Sequence, residues 1–259
     1  MAKGFFIDVQ GTLICDEKRE PIAGACEFID ALNKRNIPYV VITNNTKVQS
    51  DEFLKSLQKK GLNIKNYIDP FSLLTSQLNE KKIAAFGSRE FLDIMKNLGY
   101  ELDYENPQAL VVSIKKEYTN EDYALMIELA LKVQTIIGMH ETSIYSKEGK
   151  RYPGVGAIMQ MIKFATNKEY NVVGKPSFNF YNKAREMLGL DFNDITIISD
   201  DMIGDLIGAS ALKMKTALVL SGKIKDENEV LPTLKKEEYP TYIGQNMQSL
   251  LELLNKGEI

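Results

Sequence analysis

Short apolar runs alternate with amphipathic stretches along the whole chain. Residues 5–7, 39–42, 171–173, 195–198 and 217–220 are brief, rich in β-branched or aromatic side chains, and bounded by polar or glycine-containing turns. Continuous apolar runs of this length predict strands buried on both faces, as in a parallel sheet. Between them, residues 24–35, 51–60, 179–188 and 203–212 place apolar side chains three and four positions apart, the spacing of helices with one face on a core. Strands that alternate with helices in this way predict a doubly wound α/β architecture.

The middle of the chain repeats the pattern on a smaller scale. Residues 83–86, 109–114 and 135–139 read as strands, and 90–98, 121–133 and 156–164 as helices. These elements suffice for a small α/β domain. The expected organisation is an insertion at residues 79–168 that interrupts one core built from residues 1–78 and 169–259. The lysine-rich stretch 223–238 is expected to be a solvated loop and helix face.

Composition narrows the chemistry. A length of 259 residues holds one large or two modest domains at roughly 150 residues each. Apolar residues at 44% and charged residues at 26% exclude a disordered chain. Thirty-two basic against 35 acidic residues give a net charge of −3, too balanced to attract nucleic acid or anionic lipid in general, so local geometry has to hold any anionic ligand. Cys15 and Cys26 lack the spacing of a zinc site or a redox pair. The chain meets Asp8 after three apolar residues, which is too short for a signal peptide, and no later run approaches membrane length; a cytoplasmic location is expected. With His140 the one histidine, a multi-histidine metal site is excluded, and chemistry falls to carboxylates, hydroxyls, amides and lysine.

Four stretches carry those groups. Asp8 follows the first strand, and the carboxyl ends of parallel strands line the ligand crevice of such folds. Thr43-Asn44-Asn45-Thr46 follows the next strand. Gly174-Lys175-Pro176 follows residues 171–173, and Ser199-Asp200-Asp201, with Asp205 a turn later, follows residues 195–198. Taken singly, each has an ordinary explanation: an aspartate ends a strand and opens a turn, and acids gather at helix N-termini through the helix dipole. Taken together they are a carboxylate nucleophile, hydroxyl and amide donors, a lysine and a second acidic cluster, the parts that phosphoryl transfer through an aspartyl-phosphate requires.

In this order the four stretches resemble the haloacid dehalogenase superfamily, and the insertion between the second and third is similar to the C2 cap of its type IIA branch. Tyr152-Pro153-Gly154, Val173 to Ser177, Leu218 to Gly222 and Pro240-Thr241-Tyr242 extend the likeness over essentially the whole chain. The resemblance implies a Rossmann-like parallel-sheet core with an inserted smaller α/β cap, and a Mg²⁺-dependent phosphatase acting on a small phosphorylated metabolite. It implies Asp8 as nucleophile, Thr43, Asn44 and Asn45 at the phosphate, and Lys175 neutralising charge. Asp8, the Gln10 backbone carbonyl, Asp200 and Asp205 would hold the metal, with Asp201 as a neighbour. Caps of this kind often mediate dimers, so by analogy a homodimer is suggested.

One position departs from the family. Its phosphatases carry a second aspartate two residues after the nucleophile, which protonates the leaving oxygen and then activates water; this chain has Gln10. An amide cannot shuttle a proton, and such acid–base help is typically about 10² to 10⁴ in rate. Three outcomes follow: hydrolysis restricted to good leaving groups such as acyl or aryl phosphates, another acid such as Asp201 or a cap residue, or binding of a phosphometabolite with little chemistry. Dehalogenases of the superfamily also lack the second aspartate but need no Mg²⁺, which the acids at Asp200 and Asp205 argue for. In the cap stretch from Met139 to Tyr152, His140, Lys150 and Arg151 are candidates for a substrate carboxylate or second phosphate, and Tyr145 or Tyr152 for stacking on a ring. Each has surface as its alternative, and His140 is also a candidate for the missing acid.

Overall fold

A computed structural model describes residues 3–147 and 150–259. The chain divides into two units. The first comprises the chain through Thr43, Asp51–Ile68 and Tyr181–Ile259; the second comprises Asn44–Ser50 and Asp69–Phe180.

Among the described residues of the first unit, six strands form one parallel sheet. Their order is Tyr242–Gly244, Lys215–Val219, Ile195–Ser199, Gly4–Asp8, Tyr39–Ile42 and Tyr67–Ile68. Gly4–Asp8 is central and buried at every position, which is why it reads as an unbroken apolar run rather than an alternating one. The order runs outward in one direction from Gly4–Asp8 and in the other from Ile195–Ser199. The sheet therefore changes direction between these two strands, where folds of this kind open a crevice at the strand carboxyl ends. Phe5 packs edge-on against Phe28 of helix Ala25–Arg35, and Phe6 stacks on Tyr181 of helix Phe178–Leu188. Gly24 starts helix Ala25–Arg35 at φ +81°, and a Cβ there would lie 2.3 Å from the backbone N of Gln248. No other residue fits that approach to helix Met247–Lys256.

The second unit holds a five-stranded parallel sheet in the order Asn171–Val172, Thr135–Gly138, Ala109–Val112, Lys82–Phe86 and Glu101–Leu102. Helices Asn120–Lys132 and Val155–Thr166 bury Met126, Leu129, Ile158 and Met159 with Leu110 and Val112 in one apolar cluster. Thr119 and Asp122 cap the first of these helices reciprocally, and Asp69 caps Pro70–Gln77 by accepting from the Phe71 and Ser72 amides. An antiparallel hairpin pairs Ile144–Lys147 with Lys150–Pro153.

The α/β reading holds in both units. Residues 171–173 are a correction: expected beside the strands that carry Asp8 and Asp200, this short segment pairs instead with Thr135–Gly138. Residues 223–238 contain three single-turn 3₁₀ segments instead of a longer helix face. Among the described residues, no helix is long and apolar enough to cross a membrane.

Candidate active site

Strand register assembles the first part of the site. Asp8 lies opposite Ile42, and Ile7 opposite Ile198, so the residues leaving the neighbouring strands, Thr43 on one side and Ser199-Asp200 on the other, flank Asp8 at the switch point. Asp8, Thr43, Ser199, Asp200 and Asp205 are all buried. Burial and the negative charge of Asp8 push the Asp200 carboxyl up to about 8. Two acids kept close in a buried setting raise one another's cost of ionisation, and a cation removes that cost.

The turn after Asp8 fits tightly against Asp200. The Val9 carbonyl accepts from the amides of Leu13 and Ile14 at 2.9 and 3.0 Å, and Gly11 takes φ +72°. A Cβ on Gly11 would lie 2.2 Å from Asp200 Oδ2, and one on Gly222 would lie 1.9 Å from the same atom. The Asp200 amide donates to Thr12 Oγ1 at 3.1 Å, the Lys223 amide donates to Asp200 Oδ2 at 2.6 Å, and Ser221 Oγ donates to the Gly11 carbonyl at 2.7 Å. The Thr43 hydroxyl donates to Gln10 Oε1 at 3.0 Å.

A second network holds the other acids. Ser199 Oγ donates to Asp205 Oδ2 at 2.7 Å and accepts from the Asp201 amide at 3.1 Å. Asp201 Oδ1 accepts from the Gly204 amide at 2.8 Å, and its Oδ2 pairs with the Lys223 ammonium. The ammonium's nearness to Asp201 pushes Lys223 up, against the opposing effect of its burial. A π-helical turn, Met202–Leu206, brings Asp205 beneath Ser199, and Tyr181 donates its hydroxyl to the Asp205 carbonyl at 3.3 Å.

The sequence assigns no role of their own to Thr12, Ser199, Ser221, Gly222 and Lys223. Gly222 stood at the end of a quoted motif, and that was the available signal. Lys223 opens the lysine-rich stretch 223–238, which reads as solvated because charge runs usually are.

The remaining candidates lie in the second unit. Asn44 clamps the Lys175 backbone by accepting from its amide at 2.8 Å and donating to its carbonyl at 3.2 Å; that carbonyl also accepts from the Glu141 amide at 3.1 Å. Gly174 permits the clamp, because a Cβ there would lie 2.4 Å from the Met139 carbonyl and 2.7 Å from Asn44 Oδ1. Lys175 and His140 are buried. Asn45 holds its own turn, donating to the Val48 carbonyl and accepting from the Lys47 and Val48 amides. Arg151 is exposed on the hairpin, opposite Ser146. Tyr145 and Tyr152, either one a candidate for stacking on a ligand ring, are cross-strand partners and stack on each other at 5.4 Å. Glu148 and Gly149 of the same stretch lie outside the described residues.

Among the described residues, no group of three or more histidine, cysteine, aspartate or glutamate side chains is placed to hold a metal ion. The buried pair Asp8 and Asp200 matches instead the one or two carboxylates that a hard divalent cation keeping several waters takes from a protein.

Comparison with known proteins gives this arrangement its class. Residues 5–101 match the haloacid dehalogenase-like hydrolase family, and residues 172–250 match a second family of haloacid dehalogenase-like hydrolases. The human phospholysine phosphohistidine inorganic pyrophosphate phosphatase is 25% identical over 98% of this chain and 96% of its own length. The acid sugar phosphatase of Staphylococcus haemolyticus is 25% identical over 98% and 97%. Among solved structures, the 4-nitrophenylphosphatase of Thermotoga maritima superposes with a TM-score of 0.80 at 20% identity, covering 97% of each chain. A glycerol phosphate phosphatase of Mycobacterium tuberculosis, solved in complex with calcium, superposes at 0.72 with 21% identity, over 96% of this chain and 74% of its own. The chain belongs to the haloacid dehalogenase superfamily. It is a hydrolase of that family.

Proposed function

We propose that the chain is a Mg²⁺-dependent phosphatase that releases phosphate from a small phosphorylated metabolite through a phosphorylated Asp8. The observation that carries this reading is the pair of buried carboxylates, Asp8 and Asp200, at the ends of adjacent strands where the sheet changes direction. Phosphatase names among relatives that span nearly the whole chain support it.

In this reading Asp8 attacks phosphorus. Thr43, Asn44 and Asn45 bind the phosphoryl oxygens, and Lys175 neutralises their charge. Asp8, the Gln10 carbonyl and Asp200 would hold Mg²⁺, with Asp205 and Asp201 behind them, and the ion would supply the positive charge that lets an anionic nucleophile approach an anionic ester. Asp205 is anchored by Ser199. Residues 79–168 act as the cap, where His140 and Arg151 are assigned to the substrate beyond its phosphate.

A screen of phosphate esters with and without Mg²⁺, run beside Asp8→Asn, tests the assignment. Loss of about 10³-fold or more in the variant is expected, as for removal of a nucleophile. Unchanged activity discards the mechanism. A second reading, a phosphometabolite-binding module, is favoured by Gln10 alone; it predicts Mg²⁺-dependent thermal stabilisation by a phosphate compound without phosphate release.

A further inference from the structure

Whether the site can protonate a departing group is decided by what its side chains already do. Gln10 Oε1 accepts the Thr43 hydroxyl. What Gln10 offers a ligand is its NH₂ group, a donor that keeps its protons at any working pH. The Ser199 hydroxyl is given to Asp205, and the Tyr181 hydroxyl to the Asp205 carbonyl. Thr12 accepts from the Asp200 amide. Asp201 is tied at both oxygens, to the Gly204 amide and to Lys223. Asp200 Oδ2 accepts from the Lys223 amide, with Gly11 and Gly222 packed close to it. Among the described residues of the first unit, Asp200, Asp201 and Asp205 are thus each held by partners, and the side chain two positions after the nucleophile is an amide.

We propose that the site selects phosphoryl donors whose leaving group departs as a stable anion without taking up a proton: acyl phosphates, phosphoanhydrides and aryl phosphates rather than alkyl phosphate esters. The inference rests on the phosphatase reading above and specifies its substrate class. In the first step an Asp8 oxygen bonds to phosphorus. The bond from phosphorus to the leaving oxygen breaks with its electron pair, and the group leaves as carboxylate, phosphate or phenolate. The Gln10 NH₂ stabilises that oxygen by a hydrogen bond and transfers nothing. In the second step a water oxygen bonds to phosphorus, the Asp8 oxygen takes back its pair as carboxylate, and the water proton passes to a phosphate oxygen.

The test is the Mg²⁺-supported hydrolysis of acetyl phosphate, 4-nitrophenyl phosphate, phenyl phosphate and glycerol phosphate by the wild-type protein and by Gln10→Asp. The wild-type rate is expected to fall steeply along that series. Restoring a carboxyl group is expected to raise glycerol phosphate turnover by about 10² to 10⁴-fold, the usual size of acid–base help, and acetyl phosphate turnover by much less. A wild-type protein that hydrolyses glycerol phosphate as fast as acetyl phosphate overturns the inference, since a proton donor must then serve the site. An equal gain on all four substrates also overturns it. If neither protein hydrolyses any of the four, the phosphatase reading itself falls; the wild-type series alone decides the matter if Gln10→Asp does not fold.

Discussion

The main-chain N–H of Lys223 donates to Asp200 Oδ2 at 2.6 Å, across 23 positions of sequence. Gly11 and Gly222 both run so close to the same oxygen that neither has room for a Cβ, so backbone from two segments limits how this carboxylate can turn. Gly222→Ala would set a methyl group 1.9 Å from that oxygen. The carboxylate has to swing away, and Mg²⁺ affinity is expected to fall about 10- to 100-fold, the usual cost of disturbing a group that orients a ligand. Titration calorimetry with Mg²⁺ measures this, with circular dichroism to confirm folding; an unaltered affinity contradicts the role given to Asp200.

The pairing of Asp8 with Asp200 makes stability depend on pH. In the unfolded chain the Asp200 carboxyl ionises near 3.8, whereas in the folded protein it does so at about 8. Between those values the folded state holds the extra proton, so stability of the metal-free protein falls as pH rises through this window and levels above it. Mg²⁺ needs the ionised carboxylates, so its stabilising effect grows over the same range. Thermal unfolding at pH 5.5 and 8.5, with and without Mg²⁺, checks both signs; a Mg²⁺ shift larger at the lower pH contradicts them.

Ser199 ties the acidic cluster together. Ser199→Ala removes the donor to Asp205 and the acceptor of the Asp201 amide, both buried or nearly so. A loss of about 1–3 kcal/mol in urea unfolding is expected for stranding such groups. A change within about 0.5 kcal/mol, the size usual for a surface substitution, contradicts the network.

Asn44 is predicted to matter through Lys175. Asn44→Ala removes both bonds to the Lys175 backbone. Stability is expected to fall by about 1–3 kcal/mol, and Asn44→Asp, which keeps the acceptor but loses the donor, should fall in between. Urea titration of the three proteins gives the order directly.

Much of this was legible in the chain because burial leaves a pattern. The runs around Phe6 and Ile197 are apolar at successive positions, as only strands covered on both faces are, and the acids that end them stand out at their tips. Segments too short to carry a pattern were not legible. Asn171–Val172 has two residues, and nothing in them names Thr135–Gly138 as the partner strand. Tyr145 and Tyr152 show their stacking only once the hairpin register is known. The Lys223 contact uses a backbone amide, which every residue but proline possesses, so no side-chain motif could announce it.

The most direct test of the account is to locate the phosphoryl group itself. The protein is mixed with acetyl phosphate and Mg²⁺, quenched in acid within the first turnovers, digested, and its peptides weighed by mass spectrometry. The account predicts a phosphorylated peptide carrying Asp8 in the wild-type protein and none in Asp8→Asn. Phosphate release that continues in Asp8→Asn, or a phosphoryl group found on another residue, would contradict it.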